Sequence, residues 1–572
     1  MKKQNTALNE LRKYSFKVIL APLLKLIEVA TELFMPFLIR YILDEGINGS
    51  NIELTLIYGG IMIAIAFVGF GITMIAQYLA ARVSSDFGRD LRAKLFEKAT
   101  SLSEEQLNKI GKGKILNLIS NDSMYLQTGV MMFMRLIFRP PFLLLGASVF
   151  SFIIDWRAGI IFVSTIILSA VVLLFVMFKS PKFYSKIQNE MDNIVTISSD
   201  SINGIKPIKA FGKEEEQIDK FKDVSKQYKN KSVSVITLNS FINPLTFCFV
   251  NLAMVLVVYI GQISLSDPDF SIGKLVSLIS YLVTSLAALV MFSRMIVSVN
   301  KALASRKRID EFLAYESSIE NNPKDTKIVA PFIKFDNVSF SYSKSAEKKT
   351  VESISFEVEK GQTLGIIGGT GSGKSTIISL LSRIYDVDQG DILIDGKNIK
   401  DYDIRELRKM ISISPQKPSL FKGSVKQNII LSKEVDEEKL NKAIIDSLSK
   451  EFIDKFDEGI NHLIEEGGSN LSGGQRQRIL IARALYHKSQ ILILDDSTSA
   501  LDYISDKKVR DAISSYKDLT KIIISQRVTS LKDCDLILVI DEGKIVGRGK
   551  HDELMRSSSI YKEIYDMQVA TR

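Results

Sequence analysis

The chain has 572 residues, 46% of them hydrophobic and 24% charged, with 12 prolines; that length calls for several cores, and that composition excludes a disordered or collagen-like chain. Two cysteines, Cys248 and Cys534, and three histidines, His462, His487 and His551, are too few and too dispersed for a disulfide framework or a Cys/His metal cluster. A formal net charge of +9 raises nucleic-acid binding, which stands or falls on where the basic residues lie.

Long uncharged runs come first. Gly60 to Ala81 and Gly159 to Phe178 each approach the roughly 20 residues that cross a hydrocarbon core of about 30 Å. Pro141 to Ile154 extended back toward Met131, Asn243 to Leu265, and Ile272 to Val299 add three more; Phe16 to Leu43 is weaker, interrupted by Lys25, Glu28, Glu32 and Arg40. Six spans are expected. The first is retained, since no short apolar core with a small-residue cleavage site follows the basic N-terminus. At about 100° per residue, Lys25, Glu28 and Glu32 lie within roughly 60° of arc. That face is expected to look into the protein or a wet cavity, either paired internally or with one carboxylate free for cationic substrates. Arg135 and Arg139 in the third span share a face and are alternative partners.

The loops orient these spans. Lys2, Lys3, Arg12 and Lys13 precede the first, and Arg82, Arg89, Arg92, Lys94 and Lys98 follow the second. The basic segment Lys179 to Lys231 follows the fourth, and Lys301, Arg306, Lys307 and Arg308 follow the sixth, whereas Asp44 to Glu53 and Ser264 to Phe270 carry no Lys or Arg. Both termini are therefore expected in the cytoplasm. The basic excess has a membrane explanation, so membrane lipids are expected as partners and nucleic acid is not. Lys179 to Lys231 reads as helix bent at Gly204 and Pro207: a solvated hairpin, or a lever between membrane and cytoplasm.

Ser317 to Lys327 is polar and contains Pro323, which reads as a linker. The expected domains are a membrane domain at 1–316, a linker at 317–330 and a cytoplasmic domain at 331–572. From Phe332 short apolar runs alternate with helical stretches, the pattern of an α/β domain. Gly368-Gly369-Thr370-Gly371-Ser372-Gly373-Lys374-Ser375, followed by Thr376, sits between a strand-like run and a helical one. This is the G-x-x-x-x-G-K-S phosphate loop in the context it requires. Its glycines let backbone N–H groups turn toward phosphate oxygens, Lys374 neutralises the terminal phosphates, and Ser375 is a Mg²⁺ ligand. Ile491 to Leu494 ends in Asp495, at the strand edge where a parallel sheet binds ligands, as a partner for Mg²⁺. Tyr342 offers a ring for a nucleobase; an exposed tyrosine is also ordinary surface packing.

Leu471-Ser472-Gly473-Gly474-Gln475 resembles the signature sequence of ATP-binding cassette (ABC) transporters. With Gly368–Thr376, Gln416, Asp495 and Ser499-Ala500-Leu501-Asp502, the resemblance covers the cytoplasmic half in family order. The spans, Asn121–Asp122, and Gly204 to Phe211 are similar to the exporter-type (type IV) membrane domain. The resemblance implies an all-α six-helix transmembrane domain joined to an α/β P-loop ATPase domain with a helical subdomain. It implies one half of a dimeric exporter in a bacterial plasma membrane that uses ATP and Mg²⁺. Each nucleotide would lie between Gly368–Thr376 of one cassette and the signature of the other. Tyr342 would stack on the base, and Ser375, Gln416 and Asp495 would hold Mg²⁺. Ser499–Asp502 would form the D-loop. The segments around Asp122 and Gly204–Phe211 would be coupling helices.

Two positions depart from the family pattern. Asp496 stands where the family has a glutamate acting on the attacking water, and Gln526 where it has a switch histidine. An aspartate withdraws the carboxylate by roughly 1 Å, and misplacement on that scale can cost about 10²-fold in rate; glutamine donates a hydrogen bond but carries no charge. The pattern, with Val130 to Arg135 and Arg139, resembles the degenerate-site subunit of heterodimeric bacterial multidrug exporters. It implies a partner half-transporter with the glutamate and histidine intact, and hydrophobic or amphipathic small-molecule substrates. An exporter-fold importer, an ATP-gated channel and a sensor partner would use the same motifs.

Overall fold

The computed structural model describes residues 6–264, 270–319, 321–324, 331–343, 348–432, 434–487 and 489–570. Lys2 and Lys3, residues 265–269 of the Ser264–Phe270 loop, and residues 320 and 325–330 of the linker lie outside them. The chain divides into two compact units, one of residues 1–101 and 110–316, the other of residues 102–109 and 317–572.

The first unit is helical: α1 Ser15–Tyr41, α2 Ile52–Ser101, α3 Glu104–Ile110 (most of which groups with the second unit), α4 Lys112–Asn117, α5 Ser123–Arg135, α6 Arg139–Ile154, α7 Trp156–Asn203, α8 Ile205–Ala210, α9 Glu214–Ser240, α10 Ile242–Ser264 and α11 Ile272–Leu313. The 50 residues of α2 run about 75 Å, more than twice a hydrocarbon core, so the longest helices continue well past the bilayer. Among the described residues four helical stretches are long and apolar enough to span: 52–101, 112–154, 244–263 and 272–292; 156–172 is a shorter one. Ser15–Tyr41 is not among them, because Lys17, Lys25, Glu28, Glu32 and Arg40 dilute its hydropathy. The chain is thus a multi-pass membrane protein.

Helix ends follow local chemistry. Asp155 starts α7 by accepting the N–H groups of Arg157 (2.7 Å) and Ala158 (3.2 Å), satisfying donors a helix leaves free. Asp44 accepts the Gly273 N–H at 2.9 Å at the start of α11. The core is built from Val29 and Leu33 of α1, Leu143 and Ala147 of α6, Phe162 of α7, Val250 of α10 and Leu278 and Tyr281 of α11; the Tyr281 hydroxyl donates to the Leu33 carbonyl at 2.7 Å.

One expectation is corrected here. The third span is not one helix: α5 ends at Arg135 and α6 begins at Arg139. Pro140 and Pro141 lack the N–H groups that would continue the ladder, so helical spacing does not relate Arg135 to Arg139. Asp122 ends the helical turn Leu118–Asp122. It is buried, accepting from Ser305 Oγ at 2.8 Å and from the Arg308 guanidinium, on α11 of its own unit. The segment that groups with the second unit is 102–109. There Ser103 and Gln106 cap α3, and Ser318 of the linker donates to Ser103 Oγ at 2.7 Å and to Gln106 Oε1 at 3.3 Å.

The second unit is an α/β cassette: β1 Ile333–Phe340, β2 Val351–Val358, β3 Thr363–Gly368, α12 Lys374–Leu381, β4 Gln389–Ile394, β5 Lys397–Asn398, α13 Ile404–Met410, β6 Ile411–Ser414, β7 Gly423–Ser424, α14 Val425–Ile430, α15 Glu437–Asp446, α16 Lys450–Ile453, β8 Leu463–Ile464, α17 Gly473–Tyr486, β9 Ile491–Asp495, α18 Tyr503–Ser514, β10 Thr520–Ile524, β11 Leu536–Asp541, β12 Lys544–Gly549, α19 His551–Ser557 and α20 Ser559–Ala570. One sheet has the order β12-β11-β3-β10-β9-β6, parallel except at β12; the other, β2-β1-β4-β5, is antiparallel. The parallel strands read as near-continuous Ile/Leu/Val because both faces are covered. A separate core, including Val425, Ile429, Leu440, Ile444 and Leu471, holds α14, α15 and α17 together as a helical subdomain.

Candidate nucleotide site

Four adjacent parallel strands, β3, β10, β9 and β6, bring their C-terminal edges together, the crevice where such sheets bind ligands. Gly368–Thr376 follows β3, Asp495 closes β9, Ser525–Gln526 follows β10, and Gln416 follows β6. Ile524 pairs with Ile366 on one side and Asp495 on the other, which sets all three loops at one level.

The phosphate loop is shaped by glycine. Gly373 has φ +103° and a Cβ there would lie 2.8 Å from Val351 Cγ1; at Gly368 it would meet the Ile540 carbonyl oxygen at 2.1 Å. Lys374 Nζ donates to the carbonyls of Gly368 (2.9 Å) and Gly369 (2.6 Å). Burial pulls its pKa below the ordinary lysine value while Asp495 and Asp496 push it back up. Ser375 Oγ lies 3.3 Å from Asp495 Oδ2. Burial raises the Asp495 carboxyl above the usual range, partly offset by the Ser375 hydrogen bond. A hydroxyl beside a buried carboxylate is an oxygen donor set that suits Mg²⁺, so the residues present fit the ion, which would supply the counter-charge to Asp495 and to phosphate oxygens.

Asp496 sits in the left-handed region at φ +49°, a conformation aspartate tolerates better than most residues. Its N–H donates to the Ile524 carbonyl at 2.9 Å. Its carboxylate receives Gln416 Nε2 at 3.4 Å. Burial raises its pKa, offset by Gln416, by Arg527 and by the Gln526 backbone N–H. The carboxylate is therefore occupied by groups of its own cassette. Ser499 donates to the Asp496 carbonyl at 2.8 Å, and Arg527 Nη2 to the Ser499 carbonyl at 3.2 Å, tying the 499–502 loop to the segment after β10.

Tyr342 is half exposed, edge-on to Phe340 and Tyr385, with its hydroxyl 3.3 Å from Thr376 Oγ1. The signature lies at the start of α17, where Ser472 and Gln475 form a reciprocal cap: Ser472 N to Gln475 Oε1 at 2.8 Å, and Gln475 N to Ser472 Oγ at 3.3 Å. A Cβ on Gly474 would lie 3.3 Å from the Ala500 carbonyl, so signature and 499–502 loop pack together.

One contributor has no sequence signal. Gln568, on α20, donates Nε2 to the Gln526 carbonyl at 2.6 Å and accepts the Val528 N–H on Oε1 at 2.9 Å. A side-chain amide thus clamps the backbone on both sides of Arg527. Lys25, Glu28, Glu32 and Arg139 belong to the other unit: Lys25 pairs with Glu28, and Arg139 with Glu32 at 3.0 Å and Glu28 at 3.9 Å. Among the described residues Arg135 has no place in that cluster.

Together these features define a membrane-embedded P-loop ATPase. Residues 18–289 match the family described as ABC transporter transmembrane region, and residues 351–499 the one described as ABC transporter. The uncharacterized ABC transporter ATP-binding protein YfiB of Bacillus subtilis is 34% identical over 569 residues, covering 98% of each chain. The chain belongs to the ABC transporter family and carries its nucleotide-binding cassette, which implies the use of ATP and Mg²⁺. The ATP-dependent lipid A-core flippase of Pasteurella multocida is 28% identical over 536 residues, 93% of this chain and 92% of that one. A bacterial Atm1-family ABC exporter with ATP bound shares the fold, with a TM-score of 0.82, 24% identity and 98% coverage of both chains.

Proposed function

We propose that this chain is one half of a heterodimeric ATP-driven exporter of hydrophobic or amphipathic compounds, with six spans and both termini in the cytoplasm. ATP is held by Tyr342 and Gly368–Thr376, with Mg²⁺ on Ser375, Gln416 and Asp495, and is hydrolysed poorly there. The partner half supplies glutamate and histidine, and Leu471–Gln475 of this chain completes the partner's competent site. ATP closure turns the membrane halves outward and hydrolysis resets them. The lipid-handling relative supports an amphipathic cargo. The observation that carries the reading is Asp496: a complete phosphate loop and Asp495 surround a carboxylate one methylene short, engaged by Gln416 and the switch backbone. ATPase measurement on purified chain with and without a co-expressed second half-transporter tests it. Turnover on the order of 1 per second or faster by the chain alone would remove the impaired site.

The Gln568 clamp adds a prediction. Gln568→Ala frees both switch-loop groups, each hydrogen bond contributing about 1 kcal/mol. ATP binding to the purified chain is expected to weaken about fivefold and ADP binding to stay unchanged, because Gln526 stands at the position that resembles the family's γ-phosphate contact and ADP has no γ-phosphate. Titration with both nucleotides checks this; equal losses would mean that Gln568 supports the cassette generally and not the switch.

A further inference from the structure

Four charges meet inside the helical unit where α1 loses a backbone hydrogen bond at Pro36 and the chain breaks between α5 and α6. Glu28 and Glu32 lie about 20 and 26 Å along α1 from Ser15, deep in any spanning segment. Pro36 withholds the N–H that would bond the Glu32 carbonyl, and Pro140 and Pro141 withhold those for Leu136 and Ile137. Interrupted helices at membrane depth are tolerated where they face protein or a wet cavity, and in transporters they accompany binding sites. Lys25 and Glu28 are buried as a pair; the Glu32 side chain is 37% exposed and shares Arg139 with Glu28. The Nε of Arg139 is buried with no hydrogen-bond partner among the described residues. Three residues before Arg139, in the break between α5 and α6, Leu136 lines an apolar cavity of about 640 Å³, with Met132, Phe247, Met291 and Met295. Flexible, polarisable methionine suits varied alkyl chains.

Building on the export reading, we infer that Arg139 and Glu32 form the head-group site for a zwitterionic amphiphile whose chain lies in the Leu136–Met291 cavity. The cluster holds two positive and two negative groups and is balanced. A ligand of net charge leaves one of them, or itself, uncompensated in a low-dielectric region. A ligand with a phosphate and an ammonium exchanges one ion pair for two: the phosphate takes the Arg139 fork, which matches its geometry, and the ammonium takes the Glu32 carboxylate. Charge stays balanced before and after.

The test is equilibrium binding, without nucleotide, to the full chain in phosphatidylglycerol nanodiscs. The probes are radiolabelled dodecylphosphocholine, dodecyltrimethylammonium and dodecyl phosphate. Dodecylphosphocholine is expected to bind about tenfold tighter than either probe that carries charge of one sign only. Glu32→Gln should abolish its advantage over dodecyl phosphate. Arg139→Lys, which keeps the charge and loses the fork, should weaken dodecylphosphocholine selectively, and Met291→Ala should weaken all three equally. Binding of dodecyltrimethylammonium as tight as dodecylphosphocholine would make this a carboxylate site for cations and overturn the inference, as would equal binding of all three. Neither partner nor ATP enters the assay, so a failure here leaves the export reading standing. Head-group preference without ATP-driven transport would sink that reading alone.

Discussion

In the assembled pair, Ser472→Ala is expected to lower ATP turnover by about 10²-fold, the scale of losing one donor aimed at developing charge. Asp496→Asn should leave turnover within about twofold, because in the proposed heterodimer it lies in the site that hydrolyses little. Ser472 also caps α17 through Gln475, and removing such a cap costs roughly 1 kcal/mol. Ser472→Thr keeps the cap and separates folding from chemistry. Steady-state ATPase of the three variants, with expression matched, is the measurement. Equal losses from Ser472→Ala and Asp496→Asn would mean that the two nucleotide sites are not divided between the chains.

What could be read in advance was what is contiguous in sequence. The phosphate loop announces itself because its glycines, Lys374 and Ser375 must be consecutive to wrap one phosphate chain, and Asp495 because it ends an apolar strand. The charged face of α1 was legible from helical spacing, and Lys25 does pair with Glu28. The partner of Glu32 was among the candidates, but for a different reason than spacing: Arg139 starts a new helix after the break at 136–138, so its direction depends on α6 and not on Arg135.

Other features were silent because they join distant segments. Gln568 reaches Gln526 from 42 residues away in sequence, and a lone glutamine on a terminal amphipathic helix has no pattern that marks it. The grouping of 102–109 with the cassette leaves no sequence signal for a related reason. A seven-residue helix is too short for periodicity to register, and Asn121–Asp122 drew attention by resemblance while its burial against Arg308 stayed invisible. The Asp496 backbone shows the same limit: the substitution is plain in sequence, whereas its left-handed φ and its engagement by Gln416 are properties of the fold.

That backbone bears on the second large expected effect, the rescue of hydrolysis. Asp496→Glu lengthens the side chain by one methylene, and Gln526→His supplies a group that can carry a positive charge near neutral pH. On the proposed reading neither change is expected to suffice alone, since one leaves the charge missing and the other leaves the base short. The double variant of the chain on its own is expected to hydrolyse ATP about 10²-fold faster than the parent, the factor assigned to a misplaced catalytic group. Each single variant should stay within a few-fold. Holding glutamate at φ +49° costs at most about 1–2 kcal/mol, less than the roughly 2.7 kcal/mol that 10²-fold represents, so local strain does not cancel the gain. Full recovery by Asp496→Glu alone would remove Gln526 from the account. No recovery by the double variant would locate the impairment elsewhere in the site, with the Gln568 clamp on the switch loop the next position to vary.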